Sequence, residues 1–183
     1  MGQESLNAAQ SLQAFASNFP GFQTGLIILA LAIGFGLVTM GLYNFATYGK
    51  RQRQGQPLTV PVWQTVGGTA LMGLGAVIQT QHISIFSRDT NVRSILDFQD
   101  PSGSEAAMLA TVLLGVVTFF GWIGIFRAWV MAAQLGGANT RHSYGDVIFV
   151  LIISTVAANP LLLSDVIANT FAAPNYLRQV LGQ

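Results

Sequence analysis

Long stretches without charge dominate this sequence and set the environment in which it can fold. Four intervals contain no Asp, Glu, Lys or Arg: residues 5–49, 54–87, 106–126 and 147–164. Only 8% of the 183 residues are charged, against about 25% in soluble domains. A charge at the bilayer centre costs about 2.5–3.5 kcal/mol, and about 20 apolar residues cross the hydrocarbon core. The pattern predicts an integral membrane protein with one crossing in each interval.

The predicted fold class is all-α, with four transmembrane helices arranged as two helical hairpins. The spans are Thr24–Ala46, Val62–Gln79, Met108–Val130 and Val147–Leu163. They form a single membrane domain over residues 1–183, with the first hairpin in 1–81, an extracytoplasmic loop in 82–107 and the second hairpin in 108–183. Short amphipathic helices are predicted at the N-terminus, in the middle loop and at the C-terminus. Asn159-Pro160 predicts a helix end, because proline removes a backbone hydrogen bond; a re-entrant segment is the alternative.

Basic residues are concentrated in the turns of the two predicted hairpins. Lys50, Arg51 and Arg53 lie between the first and second spans. Arg127 and Arg141 flank the turn between the third and fourth spans. Because positively charged loops remain in the cytoplasm, both turns are predicted to be cytoplasmic, and both termini extracytoplasmic.

The basic side chains have a second possible use. Arg127 lies between Trp122 and Trp129 in sequence. Its side chain either snorkels to the cytoplasmic headgroups, or holds a lipid phosphate or faces a lumen. The cluster of Lys50, Arg51 and Arg53 also has two possible uses. It either sets the topology of the hairpin or lines a conduit.

Small residues recur at helical spacing along three of the spans. The stripes are Ala30 with Gly34, Ala32 with Gly36, Thr65 with Thr69 and Gly73, and Gly124 with Ala128 and Ala132. In membranes, small residues allow helices to approach closely. Two uses stay open: packing inside a four-helix bundle, and contact between subunits of an oligomer or polymer.

The two predicted hairpins also resemble each other in plan. Each has a helix, a short basic turn and a second helix. A shift of 88 residues aligns Gly36 with Gly124, Gly49 with Gly137, and Ala70 with Ala158. The alignment suggests a repeat of one hairpin.

Side chains suited to catalysis are sparse. No Asp or Glu lies inside a predicted span, and the chain has no cysteine. His82 and His142 lie on opposite sides of the membrane in this topology, so no paired-imidazole metal site is expected. We predict no enzyme activity, no catalytic residue and no metal site.

A small channel or transporter subunit is the alternative from another functional class. Its support is four polar residues that fit an interhelical hydrogen-bond seam equally well: Gln64, Thr65, Thr69 and Gln79.

The second predicted hairpin resembles a known group of small membrane proteins. The resemblance is carried by the run Gly-Trp-Ile-Gly-Ile-Phe-Arg-Ala-Trp-Val over 121–130, then Gly136-Gly137, Tyr144-Gly145-Asp146 and Asn159-Pro160. These features are similar to the DotE/IcmC-like proteins of type IVB secretion and the TraQ-like proteins of IncI-type conjugation. The resemblance covers residues 108–165 in detail, and the first half only in hydropathy plan. Ser154-Thr155 departs from the glycine-rich start expected for the last span. The hairpins also resemble conjugative pilins.

These resemblances imply a structural subunit of a bacterial conjugation or type IVB secretion apparatus in the inner membrane. Likeness to pilins implies that it polymerises through its Gly/Ala stripes into an extracellular pilus, with basic turns facing the lumen. A phospholipid that accompanies each subunit is then the one bound molecule expected. The implied partners are further copies of the chain, membrane lipid and other secretion components, without sequence-specific binding of nucleic acid. A platform subunit that never leaves the membrane is the alternative.

Overall fold

The computed structural model describes residues 18–52, 57–86, 105–135 and 142–171, and the regular structure in these ranges is α-helical. Seven helices follow one another there: α1 (Phe19–Ala46), α2 (Tyr48–Gln52), α3 (Thr59–Met72), α4 (Leu74–Phe86), α5 (Glu105–Ala133), α6 (Tyr144–Ala157) and α7 (Pro160–Phe171). The predicted all-α class is confirmed.

Among the described helices, two are long and apolar enough to cross a membrane. They are Gly21–Ala46 within α1 and Val112–Ala133 within α5. Their length and composition match the first and third predicted spans. Helix α6 is apolar but shorter, with 14 residues.

The second and fourth predicted spans are interrupted rather than continuous. Gly73 separates α3 from α4, with φ −99° and ψ 27°. Its N–H still donates to the Thr69 carbonyl at 3.1 Å, and its own carbonyl accepts from the Val77 N–H at 2.9 Å. The interruption therefore leaves these backbone groups hydrogen-bonded. The fourth span was predicted to reach Leu163, but α6 ends at Ala157 and a new helix begins at Pro160.

The N-terminus of α6 is fixed by a capping box. The Ser143 Oγ accepts from the Asp146 N–H at 3.2 Å, and the Ser143 N–H donates to Asp146 Oδ2 at 2.8 Å. This arrangement satisfies two backbone donors that the helix itself leaves unpaired. It starts α6 three residues earlier than the predicted span.

The long helices pack in antiparallel pairs. Gly34 in α1 faces Gly68 in α3, while Gly41 faces Thr65, so residue numbers rise along one helix as they fall along the other. The same holds for α5 and α6, where Gly121 faces Ala158 and Gly124 faces Ser154. Helix α3 also packs against α5, so it lies between α1 and α5. We call α1 with α3 and α4 the first helix pair, and α5 with α6 and α7 the second.

The core lies where the two pairs meet. One buried cluster joins α1, α3, α4, α5 and the residue after α6: Ala30, Leu71, Leu74, Ile78, Trp122, Ile125 and Ala158. A second cluster lies where α5 ends and α6 begins: Met131, Ala132, Leu135 and Val147. Burial of these apolar side chains holds both helix pairs together through their shared faces.

Three predicted helices lie outside the described residues. They are the amphipathic segment before Asn18, the segment in the middle loop and the segment after Pro174. Arg53 and Arg141 also lie outside the described residues.

Candidate assembly and lipid-facing surfaces

The contact between α1 and α3 depends on two glycines. A Cβ atom at Gly34 would lie 2.6 Å from the Gly68 carbonyl oxygen and 2.8 Å from the Met72 nitrogen. A Cβ at Gly68 would lie 2.8 Å from both the Gly34 oxygen and the Val38 nitrogen. The obstructing atoms belong to the backbone, so a side chain cannot rotate to make room. Only glycine at both positions allows the helices to come this close.

The contact between α5 and α6 is built in the same way. A Cβ at Gly121 would overlap the backbone of Ala158, and one at Gly124 would overlap the Ser154 hydroxyl. The obstruction at Gly121 is backbone, whereas Ser154 at Gly124 is a side chain that a rotamer change can move. Gly121 is therefore the stricter of the two positions. Gly124 was predicted from the sequence, but Gly121 was not placed in a stripe.

Five of the predicted packing residues lie in contacts inside the chain. Ala30, Gly34, Ala128 and Ala132 are buried, and Gly124 is half-buried against α6. For these residues, the structure shows the first of the two predicted uses, packing within the bundle. Their role in contact between subunits stays a prediction.

The other three predicted packing residues lie elsewhere. Gly36 lies on the exposed face of α1, with open space around its Cα among the described residues. Thr69 is exposed, and its hydroxyl donates to the Thr65 carbonyl of its own helix at 2.8 Å. Gly73 forms the interruption between α3 and α4. None of the three lies in a close helix contact among the described residues, so contact between subunits stays a prediction for them.

Large apolar side chains cover the outer faces of α1 and α6. Phe35 is 63% exposed and Leu42 is 57% exposed on α1, while Ile148 and Ile152 on α6 are 57% and 49% exposed. Only 17% of the residues in the most apolar window of α1 are buried. A core helix of a soluble protein would be mostly buried. Continuous exposed apolar surface of this kind marks contact with a membrane or with another protein.

Polar side chains on α3 and α4 form bonds between and within helices. The Asn44 side-chain nitrogen donates to Gln64 Oε1 at 2.6 Å, joining α1 to α3. The Thr155 hydroxyl donates to Gln81 Oε1 at 3.3 Å, joining α6 to α4. Thr65, one of the predicted channel residues, donates to the Pro61 carbonyl of its own helix. The bond of Gln64 fits the predicted interhelical seam, whereas the hydroxyls of Thr65 and Thr69 bond within their own helix. Gln79, the fourth residue of that group, is exposed.

A buried set of polar atoms was missed in the sequence. Gln23 Nε2, Thr118 Oγ1, Trp122 Nε1 and Trp129 Nε1 are buried and have no hydrogen-bond partner among the described residues. They belong to α1 and α5. Each such group costs about 1–3 kcal/mol relative to a satisfied one, so the bundle carries a penalty that apolar packing must offset.

The basic residues lie at one end of the bundle. The antiparallel pairing brings the end of α1, the start of α3, the end of α5 and the start of α6 to that end. Lys50 on α2 and Arg127 on α5 are both exposed. Arg51 belongs to α2. The structure thus brings Lys50, Arg51 and Arg127 to the same end, as the predicted turns require.

An aromatic pair joins the two helix pairs at this basic end. The Trp63 indole nitrogen donates to the Tyr144 hydroxyl at 3.2 Å, and the two ring centroids lie 5.5 Å apart. Tryptophan and tyrosine favour the membrane–water interface, where an apolar ring and a polar tip can both be satisfied. Nothing in the sequence spacing linked Trp63 to Tyr144, which are 81 residues apart.

One carboxylate also lies at this end. The backbone N–H of Ser143, and then its hydroxyl, hold the pKa of the exposed Asp146 carboxyl below its ordinary value. Asp146 precedes the predicted fourth span. The deprotonated form is therefore the one that caps α6.

No family model, no curated protein and no solved structure matches this chain. Among the described residues, no three His, Asp or Glu side chains are grouped so that they could hold a metal ion. What the chain does must therefore be inferred from its helix faces and from the resemblance carried by the second pair.

Proposed function

We propose that this chain is a structural subunit of a bacterial conjugation or type IVB secretion apparatus. It inserts in the inner membrane and is pilin-like, assembling with copies of itself into a filament. The observation that supports this proposal best is the exposed apolar face that runs along α1, including Phe35 and Leu42. The residue pattern of the second helix pair supplies the link to secretion and conjugation.

The exposed faces require a partner because the core does not use them. The close helix contacts at Gly34 and Gly121 already join each pair internally. The large side chains left outside must lie against lipid before assembly, and against lipid or protein afterwards. A subunit extracted from the membrane into a filament has to cover them with neighbouring copies or with lipid it retains.

The basic end fits the same role. Lys50 and Arg127 are exposed at the same end of the bundle as the Trp63–Tyr144 pair. In the membrane, their charges face the anionic headgroups, and each such contact contributes about 1 kcal/mol. In a filament, the same charges would face retained phospholipid or a lumen. A phospholipid is thus the bound molecule that this surface would take.

The proposal is tested by shearing host cells in which the apparatus is active. The released material is pelleted, and this chain is quantified by mass spectrometry in that pellet and in the membrane fraction. An abundant inner-membrane protein of the same cells controls for lysis. We expect the chain to dominate the sheared filament fraction and the control protein to stay with the membranes.

Complete retention in the membrane while DNA or protein transfer proceeds would overturn the pilin role. The chain would then be a platform subunit of the same machine. Purified protein in liposomes would separate that role from a channel, because only a channel subunit transports solute without other components.

A further inference from the structure

The two helix pairs repeat the same arrangement of helices. α1 ends at Ala46 and α5 at Ala133, 87 residues later. α3 spans 59–72 and α6 spans 144–157, a shift of 85 residues at both ends. α4 and α7 also end 85 residues apart, at Phe86 and Phe171. In each pair, a long first helix packs on a second helix that is interrupted after 14 residues. The sequence suggested an ungapped shift of 88 residues. That shift is one residue larger than the observed shift of the ends of the first helices, and three residues larger than that of the second helices.

The two pairs contact each other through unlike faces. α3, the second helix of the first pair, packs against α5, the first helix of the second pair. At this contact, a Cβ on Gly67 would lie 2.9 Å from the Ala133 nitrogen. Trp63 packs beside it against the cluster that contains Met131 and Ala132. The contact is therefore heterologous, since the face of a second helix meets the face of a first helix.

Each pair has both kinds of face, but the contact uses the second-helix face of the first pair and the first-helix face of the second pair. The matching face on the second helix of the second pair, and that on the first helix of the first pair, therefore stay uncovered inside the chain. The packed faces fix the register of the second helices at 86 residues, one more than their ends suggest: Gly68, which faces Gly34 in α1, corresponds to Ser154, which faces Gly124 in α5.

The positions on α6 that correspond to Gly67 and Trp63 are therefore Ile153 and Phe149, and both are exposed. α6 thus carries the counterpart of the α3 face, with no helix of the described chain packed on it.

α1 carries the counterpart of the α5 face. The positions 87 residues before Trp122, Trp129 and Ala133 are Phe35, Leu42 and Ala46, and all three are exposed. Their spacings of seven and four place them along one side of α1. Trp122 belongs to the buried cluster shared by α1, α3, α4 and α5, with 3% exposure, whereas Phe35 is 63% exposed.

We propose that a second copy of this chain covers these faces. The α6 face of Phe149 and Ile153 in one copy packs against the α1 face of Phe35, Leu42 and Ala46 in the next. Ile153 meets Ala46 as Gly67 meets Ala133 inside the chain. The inference rests on the proposed function and names the surface through which the subunits assemble. A heterologous contact generates a ring or an open filament rather than a closed dimer.

This interface differs from the Gly/Ala stripes expected to drive assembly. Gly34, Gly124, Ala128 and Ala132 are engaged inside each copy. Isoleucine replaces glycine at the outer contact, so the helices of neighbouring copies approach less closely than α3 and α5 do. The outer contact is consequently the looser of the two, which allows subunits to be added and removed.

Disulfide cross-linking in host membranes tests the interface, because the natural chain has no cysteine. The double variant Ala46→Cys/Ile153→Cys carries one thiol on each proposed face. Oxidation should produce a ladder of linked dimers, trimers and higher multimers. The matched control is Met40→Cys/Ile152→Cys, with both positions exposed on the same two helices. Met40 lies about 200° around α1 from Leu42, and Ile152 about 100° around α6 from Ile153.

We expect at least tenfold more multimer from the first double variant than from the control. Each single variant should remain monomeric, because the two faces of the contact are unlike. Equal ladders from both double variants, an absent ladder, or strong dimers from Ala46→Cys alone would overturn the interface. The amount of each variant in the membrane fraction is measured in parallel, so that a loss of insertion is recognised.

The same cells are sheared to separate this inference from the proposed function. Filaments without the Ala46–Ile153 ladder would overturn the interface and leave the pilin role standing. A ladder confined to the membrane, with no filament, would uphold the interface and overturn the pilin role.

Discussion

Gly34 and Gly68 face each other across the contact between α1 and α3, and the backbone of each leaves no room for a side chain at the other. A Cβ at either glycine would lie within 2.8 Å of the partner's carbonyl oxygen. Neither oxygen can move without shifting a helix. Backbone contact therefore fixes the distance between α1 and α3 at this point.

Replacing Gly34 with leucine should therefore destabilise the bundle. Overpacking a close contact costs about 1–3 kcal/mol, and we expect at least that loss here because the obstruction is backbone. The measurement is thermal unfolding of the purified protein in detergent. Gly36→Leu is the matched control, since open space surrounds that residue. Equal unfolding temperatures for the two variants would contradict the Gly34–Gly68 contact.

The second helix pair allows a smaller substitution. Gly121→Ala adds one methyl group, which would overlap the backbone of Ala158. We expect faster proteolysis of the chain in detergent and a lower unfolding temperature. Gly25→Ala is the control, because its Cβ would meet nothing within 4 Å among the described residues. If Gly121→Ala is as resistant as the control, α5 and α6 do not approach as described.

The bond between Asn44 and Gln64 should contribute to stability as a coupled pair. Hydrogen bonds between membrane helices contribute about 0.6 kcal/mol on average, and up to about 1.7 kcal/mol. We expect a coupling free energy in that range from a double-mutant cycle with Asn44→Leu and Gln64→Leu. The free energy of unfolding is measured for all four proteins in mixed micelles. Strictly additive losses would show that the two side chains do not interact.

Replacing Thr118 should stabilise the protein, unlike the substitutions described above. Its hydroxyl is buried without a partner among the described residues, and valine has nearly the same shape. Thr118→Val removes an unsatisfied polar group that costs about 1–3 kcal/mol. The variant should therefore unfold at a higher temperature than the natural chain. A clear decrease would mean that the hydroxyl is hydrogen-bonded in the folded protein.

The cap of α6 should respond to acid. The Ser143 N–H and hydroxyl lower the pKa of Asp146. The ionised carboxylate therefore stabilises the folded protein relative to the unfolded chain. This stabilisation is fully present above the ordinary aspartate value of about 3.9. It declines as the pH falls through the lowered pKa of the folded state.

An NMR titration of the Asp146 carboxyl in micelles measures this directly. The midpoint should lie below the ordinary value in the natural chain. Ser143→Ala should move it upward, because one of the two donors is lost. An unchanged midpoint in Ser143→Ala would leave the hydroxyl without influence on Asp146.

The sequence alone determined the helical character of the chain and the ends of several helices. Long intervals without charge favour α-helices, because hydrocarbon offers no partner for backbone polar groups. The interruption before Pro160 followed from its missing N–H. The clustering of Lys50, Arg51 and Arg127 at one end followed from the spacing of the apolar intervals.

Only the tertiary structure decided which side of each helix meets a neighbour. Gly34 and Gly36 look equivalent in sequence, yet they lie about 200° apart around α1, and only Gly34 faces α3. The pairing of Trp63 with Tyr144 likewise depends on where two distant helices come together. Helical periodicity fixes which residues share a face, but the position of the neighbouring helix decides whether that face packs inside the chain or remains outside.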